Sequence, residues 1–210
     1  MFFKTTLLAI AALVAMPFND NFNDLAIGDA IPAADKKSKD VSSKEFALNE
    51  LMMKNGMCVI FSCNTCPFVV GSEGSEGWEG RYPALAEQCH AKQIDFVLVN
   101  SNAAKREMGD GFADMQKHYT EKNYAGYYLL DEGSLLADAF GARTTPHVFL
   151  FDGKGKLAYK GAIDDNVDDP KAVTKHYLHD AIEALAAGKA IDPATTRNLG
   201  CSIKRVAVPN

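Results

Sequence analysis

The sequence lacks any block of lysine and arginine: 22 basic residues are scattered among 27 acidic ones, for a net charge of −5. A surface that holds nucleic acid needs grouped cations against the phosphates, so generic nucleic-acid binding is excluded. Glycine and proline are sparse, at 16 and 8 of 210 residues, which excludes a collagenous or linker-dominated chain. Cysteine is sparse as well. Five in 210 residues are too few for a disulfide scaffold, and a chain of this length buries enough surface to fold without staples or structural metal. The odd count leaves at least one thiol unpaired within the chain. What is present is 47% hydrophobic and 23% charged residues, the balance of a globular domain rather than a disordered chain.

An unbroken apolar run covers residues 7–16 (LLAIAALVAM), preceded by Lys4 and followed by Pro17, Asn19 and Asp20. A spanning helix needs about 20 apolar residues, so the run is too short to cross a bilayer and suits the centre of a secretory signal peptide. The expectation is a signal peptide over residues 1–18 and a mature protein over 19–210, working outside the cytoplasm, where disulfides persist. An uncleaved anchor and a buried amphipathic helix are the alternatives. No cysteine directly follows the run, so a lipoprotein anchor is not indicated.

After a polar lead over residues 19–40, strands and helices alternate. Residues 57–61 (MCVIF) form a continuous apolar run, the mark of a strand buried on both faces. Further strands are expected at 94–99, 127–130, 147–151 and 157–160, the last two joined by a hairpin at Asp152-Gly153-Lys154-Gly155. Helical spacing marks 83–93, 112–122, 135–140 and a long segment from Val173 to Gly188. The fold class is α/β, a mixed sheet flanked by helices in one domain. Residues 71–80 break the rhythm with a glycine every third residue and hold the only tryptophan, Trp78. So many glycines disfavour a helix, leaving either a surface insertion or a mobile lid with Trp78 facing a substrate.

The chemistry is carried by Cys63-Asn64-Thr65-Cys66, where the first buried strand ends and a helix begins with Pro67 at its first turn. Two cysteines so spaced can close a small disulfide ring, and a helix N-terminus favours the thiolate. A redox dithiol is the leading reading, against a metal half-site or two inert thiols. The dipole argument gives Cys63 the lower pKa and leaves Cys66 the more shielded thiol. Zinc would need two more ligands, and His176 and His179 read as surface residues. In the run 164–169 a calcium loop fails: its sixth position is Asp169 rather than glycine and its twelfth is Lys175 rather than glutamate. Asp168 or Asp169 capping a helix from Pro170 explains that run. Cys58 and Cys89 are expected to be buried structural thiols. Cys201 follows Gly200 in a tail without periodicity, either as a packed thiol, the favoured reading, or as a third redox thiol.

Cys63-Asn64-Thr65-Cys66-Pro67-Phe68-Val69, with Thr144-Thr145-Pro146-His147-Val148-Phe149 some eighty residues later, resembles the thioredoxin fold. More closely the chain is similar to exported bacterial proteins of the redoxin superfamily, the alkyl hydroperoxide reductase and thiol-specific antioxidant group. Within it the chain resembles a branch ending in Gly200-Cys201-Ser202-Ile203-Lys204. The likeness covers roughly residues 26–205. It implies a thioredoxin-like sheet with Cys63 at the carboxyl end of a strand, Pro146 as a cis-proline facing the dithiol, and a periplasmic location.

The resemblance has three departures. Asn64-Thr65 replaces the Gly-Pro between thioredoxin cysteines, the strand 57–61 carries no buried acid, and the peroxidase Thr-x-x-Cys spacing is missing. The leading function is therefore thiol-disulfide exchange without a cofactor. Cys63 attacks, Cys66 resolves, and the backbone of Thr145, held by Pro146, pairs with an extended substrate as an added strand. The partners implied are a protein disulfide or dithiol and a thiol electron donor or acceptor. The rivals are a thiol peroxidase, with Cys66 or Cys201 as resolver and Arg143 as a cation, and a copper-handling module using Cys63, Cys66 and His147. Copper chaperones of this fold space their cysteines by three residues, which counts against the last.

Overall fold

The computed structural model describes residues 24–206. The expected signal segment and its boundary at residue 18 lie outside the described residues. Among the described residues, no helix is long and apolar enough to cross a membrane.

The strands are β1 (Lys37–Asp40), β2 (Glu45–Ala47), β3 (Gly56–Ser62), β4 (Ile94–Asn100), β5 (Tyr127–Leu130), β6 (Thr144–Thr145), β7 (His147–Asp152), β8 (Leu157–Gly161) and β9 (Cys201–Ser202). The helices are α1 (Leu48–Leu51), α2 (Pro67–Val70), α3 (Tyr82–Ala91), α4 (Phe112–Glu121), α5 (Leu135–Phe140) and α6 (Tyr177–Ala186). Seven strands form one mixed sheet in the order β2-β1-β5-β4-β3-β7-β8, and β6 pairs with β9 apart from it. This is the thioredoxin-like α/β class expected from the sequence.

Every residue of β3 and β4 is buried, which is why both read as uninterrupted apolar runs. β3 is parallel to β4 and antiparallel to β7, with Phe61 opposite His147. Alternation along β3 sends Cys58 and Ile60 to one face, against Leu85, Cys89 and Ile182 of α3 and α6. Met57, Val59 and Phe61 go to the other, against Leu48 of α1 and Leu136 and Phe140 of α5. Each such side chain is worth roughly 1.5–3 kcal/mol of burial, so the two layers clamp β3 and fix where its carboxyl end projects. The β7–β8 hairpin forms as expected, with the Asp152 carboxylate accepting from the amides of Lys154 and Lys156, both at 2.8 Å.

Three expectations need correction. The polar lead is not featureless, because β1 and β2 extend the sheet antiparallel from β5. Their inward positions on β1 are Ser38 and Asp40, so no apolar alternation announces them. Asp40 is satisfied there by the Tyr128 amide at 2.9 Å. The last helix starts at Tyr177, not near Val173. Asp165 accepts hydrogen bonds from the amides of Thr174 and Lys175 at 2.9 and 3.1 Å and holds that segment out of helical form. Asp169 does cap a turn, through the Lys171 amide at 2.8 Å, but that turn is a separate 3-10 helix, Pro170–Ala172.

The third correction concerns residues 71–80, whose tip at 72–74 is exposed as in a surface insertion but whose tryptophan faces the core rather than a substrate. Trp78 is buried, stacked on Phe68 with centroids 6.4 Å apart, and its Nε1 donates to Asp164 at 2.7 Å. Gly77, at φ +70°, lets the loop fold back so closely that a Cβ there would strike the Val69 carbonyl. Asp164 is thereby committed to Trp78 and to Arg81, at 3.1 Å.

Candidate active site

β3 delivers the chain to Cys63 at its carboxyl end, and Cys66 occupies the N-cap of α2 with Pro67 following it. The strand-to-helix placement expected from the sequence is therefore present. The short loop between the cysteines is gripped by Asp110. Its carboxylate accepts from the Asn64 amide and the Thr65 hydroxyl, both at 2.7 Å, and from the side-chain amides of Asn100 and Asn102 at 2.9 and 3.1 Å. A fully buried carboxylate needs this many donors to offset the loss of water. Asn64 is held further by Tyr128, whose hydroxyl donates at 2.8 Å, and by the Gly109 carbonyl at 2.9 Å. Arg106 ties the outer rim, donating to Asn100 Oδ1 and to the carbonyls of Asn100, Asp110 and Asp131.

Sequence reasoning missed Asp110, Asn100, Asn102 and Arg106. Asp110 sits between Gly109 and Gly111 and reads as a turn. The usable signal was Asn100-Ser101-Asn102, a polar triplet at the carboxyl end of a buried strand, where ligands and sites gather in α/β sheets.

Across from the loop lies the Thr145–Pro146 cis peptide bond expected from the resemblance. Cys63 Sγ is 3.3 Å from the Thr145 hydroxyl, and the Cys66 thiol donates to the Thr145 carbonyl at 3.2 Å. The edge of β6 is not free for a substrate strand, which corrects the sequence reading. β9 already pairs with it, Thr145 opposite Cys201 and Thr144 opposite Ser202. The tail of residues 200–205 is a bound strand rather than loose chain. The Ile203 amide donates to Arg143 O at 2.9 Å, the Lys204 amide to Asn102 Oδ1 at 2.9 Å, and Arg205 pairs with Asp138 at 2.6 Å. Gly200 makes the approach possible, since a Cβ there would run into the Thr145 carbonyl.

The thiols differ in exposure and charge. Cys63 is 0% and Cys66 3% exposed, whereas Cys201 is only partly buried. The neighbouring Cys63 thiol, then the Cys201 thiol and amide and the Thr145 hydroxyl, bring the Cys66 pKa down to about 5 against the opposing effect of burial. Cys63, which keeps its proton toward Cys66 and lies buried near the Asp110 charge, is pushed well above the ordinary thiol range. Burial and the Cys66 sulfur push Cys201 up to about 11. The expected difference in shielding is absent, since both residues are buried. Acidity leans toward Cys66 because the Cys63 thiol and then β9 supply donors there that a dipole argument does not include, and α2, with four residues, carries little dipole.

Cys58 and Cys89 are fully buried in the α3–α6 layer, as expected. His147 and Arg143 do not join the dithiol. His147 shares the face of Phe61 and Phe149, its ring 4.5 Å from the latter, opposite the cysteine layer. Burial, then the Lys160 charge, lowers its pKa to about 4. Arg143 is exposed. The donor set of Cys63, Cys66 and His147 is thus not assembled, and among the described residues no three His, Cys, Asp or Glu side chains group as metal ligands. His176 and His179 are exposed.

No curated protein sequence matches the chain. Solved structures do. An uncharacterized conserved protein from Geobacillus kaustophilus is 28% identical with a TM-score of 0.79, over 89% of this chain and 96% of that one. A hypothetical protein from Sinorhizobium meliloti is 29% identical with a TM-score of 0.74, over 89% and 98%. A putative thiol:disulfide interchange protein from Chlorobium tepidum shares the fold at 17% identity and a TM-score of 0.58, over 78% and 99%. The Redoxin family model matches residues 26–176, spanning β1 to β8 and both cysteines of the loop, and the chain belongs to the redoxin family.

Proposed function

We propose that this protein is a thiol-disulfide oxidoreductase whose Cys63 and Cys66 cycle between dithiol and disulfide. The observation that carries the reading is that both sulfurs converge on one residue, Thr145, at 3.3 and 3.2 Å. Of the two, Cys66 is the more readily ionised, and its contact with the Thr145 carbonyl belongs to the protonated form. Exchange then runs by thiolate attack on a disulfide sulfur, and the second thiol closes the Cys63–Cys66 ring and releases two thiols. Membership of the redoxin family and the likeness to a thiol:disulfide interchange protein support the class. Its partners are a protein disulfide or dithiol and a thiol donor or acceptor.

The test is to oxidise the protein with glutathione disulfide and map its disulfides by peptide mass spectrometry. Exchange with a model protein disulfide is then assayed in the same preparation. A Cys63–Cys66 disulfide and turnover lost in both Cys63→Ser and Cys66→Ser are expected. Consumption of peroxide through a sulfenic acid, without protein exchange, would replace this reading with a peroxidase.

Export follows from the run of residues 7–16, whose length suits a signal peptide, with the periplasm as the expected site. N-terminal sequencing of protein from its own host should begin after about residue 15. An intact Met1 on cytoplasmic protein would refute it.

A further inference from the structure

β9 brings a third sulfur to the centre. Cys201 stands across the ladder from Thr145, the residue that both loop cysteines contact, and it packs against the core layer containing Cys63 and Cys66. The three thiols are not equivalent toward solvent. Cys63 and Cys66 are sealed, while Cys201 is partly exposed. The edge by which a client chain would reach the loop cysteines is filled by β9 itself. An outside thiol approaching this centre therefore meets Cys201 first.

We propose that Cys201 is the solvent-facing redox thiol of the centre, which takes the disulfide from the buried Cys63–Cys66 pair by exchange at Cys66 and presents it to a partner protein thiol. The inference rests on the dithiol reading given above. In the first step the Cys201 thiolate attacks the Cys66 sulfur of the Cys63–Cys66 disulfide. The Cys66–Cys201 bond forms, the Cys63–Cys66 bond breaks, and Cys63 leaves as a thiolate that takes up the proton Cys201 gave up. In the second step a partner thiolate attacks the sulfur of the partly exposed Cys201 and Cys66 leaves as its thiolate. A second thiol of the partner then attacks the partner's own sulfur in the mixed disulfide and releases Cys201. The partner loses two electrons as its dithiol becomes a disulfide, and Cys63 and Cys66 gain them. Run backwards, the same steps reduce a partner disulfide.

The first step is directed to Cys66 by position, because Cys201 adjoins Cys66. In the second step Cys66 is the leaving thiol, and exchange is faster when the leaving thiol has the lower pKa. Cys201 is held protonated by burial and the Cys66 sulfur, which keeps it a poor nucleophile while the centre is reduced. Once Cys66 is tied up in the Cys63–Cys66 disulfide, that part of the upward push on Cys201 is gone, while burial, the larger cause, remains.

Two measurements test it. First, Cys63→Ser protein is oxidised with glutathione disulfide and its disulfides are mapped. A Cys66–Cys201 bond is expected, and Cys66 carrying only glutathione would overturn the proposal. Second, the preformed Cys63–Cys66 disulfide of the wild type and of Cys201→Ser is reduced by a protein dithiol in stopped flow. Cys201→Ser is expected to react at least tenfold more slowly, and an equal rate would overturn the proposal while leaving the dithiol function intact. If the wild type forms no Cys63–Cys66 disulfide at all, the function reading itself fails, and the Cys66–Cys201 map still decides whether Cys201 is a redox partner.

Discussion

Cys201 lies directly across a two-residue antiparallel ladder from Thr145, the residue that touches both sulfurs of the Cys63-to-Cys66 loop. The acidity of Cys66 is consequently tuned by a strand from the far end of the described chain as well as by its neighbours Cys63 and Thr145.

Cys66 should titrate near pH 5 and Cys63 above the ordinary range. The folded pKa of Cys66 lies below its unfolded value of about 8.5. Its contribution to the stability of the reduced protein is therefore complete above about pH 8.5 and is lost as pH falls toward 5. Cys63 acts oppositely, since above about pH 8.5 only the unfolded chain ionises it. Urea unfolding of the reduced protein should thus show stability rising between these limits. Below about pH 6.5 the buried neutral His147 shares in the rise, and the part above about pH 6.5 should vanish in Cys66→Ser. A stabilised thiolate also favours the reduced form, so the potential should lie above the roughly −270 mV of thioredoxin. Alkylation dominated by Cys63 at pH 6 would contradict the assignment.

Gly200→Ala should pry β9 from β6, because the added methyl meets the Thr145 carbonyl. Cys66 then loses the donors supplied by Cys201, and its pKa moves up toward the ordinary thiol value. Iodoacetamide rates against pH report both this shift and faster labelling of Cys201. Wild-type profiles in Gly200→Ala would show that β9 does not tune the dithiol.

Asp110→Asn removes an acceptor from the Asn64 amide or the Thr65 hydroxyl. Leaving such a buried group unsatisfied costs about 1–3 kcal/mol, readable by denaturant unfolding. Removing the charge also lowers the Cys63 pKa, which Asp110 helps to raise. Asp110 is a positioning residue, so the diagnostic is this change in the Cys63 titration. A stability loss with an unchanged titration would leave Asp110 a merely structural role.

Trp78 is the sole tryptophan and is buried with Asp164. Its fluorescence should be blue-shifted and insensitive to added partner protein, because the loop does not open as a lid. Trp78→Phe leaves Asp164 short of one donor and should cost about 1–3 kcal/mol. A partner-dependent emission shift would restore the lid reading.

The sheet was legible because its central strands are apolar on both faces and its helices amphipathic. The edge hairpin of β1 and β2 was not, since Ser38 and Asp40 put polar atoms where alternation predicts apolar ones. Cys63, Cys66, Thr145 and Pro146 were found from spacing and resemblance, and the structure does bring them together. The acidity order and the filled edge escaped because both depend on where β9 docks, which no local pattern near Cys66 or Thr145 announces. A polar residue such as Asp110 shows its role only when Asn64, Asn100 and Asn102 close around it.

A chain that supplies its own edge strand offers no register to a client. Thioredoxin-like docking by main-chain pairing accepts many extended peptides, because every backbone carries the same donors and acceptors. With β9 seated, recognition passes from the client's backbone to the reach of a single cysteine side chain. Unfolded polypeptides without thiols should not compete for the site. The same strand covers an edge that would otherwise invite intermolecular pairing, so one short tail both narrows the clientele and protects the fold.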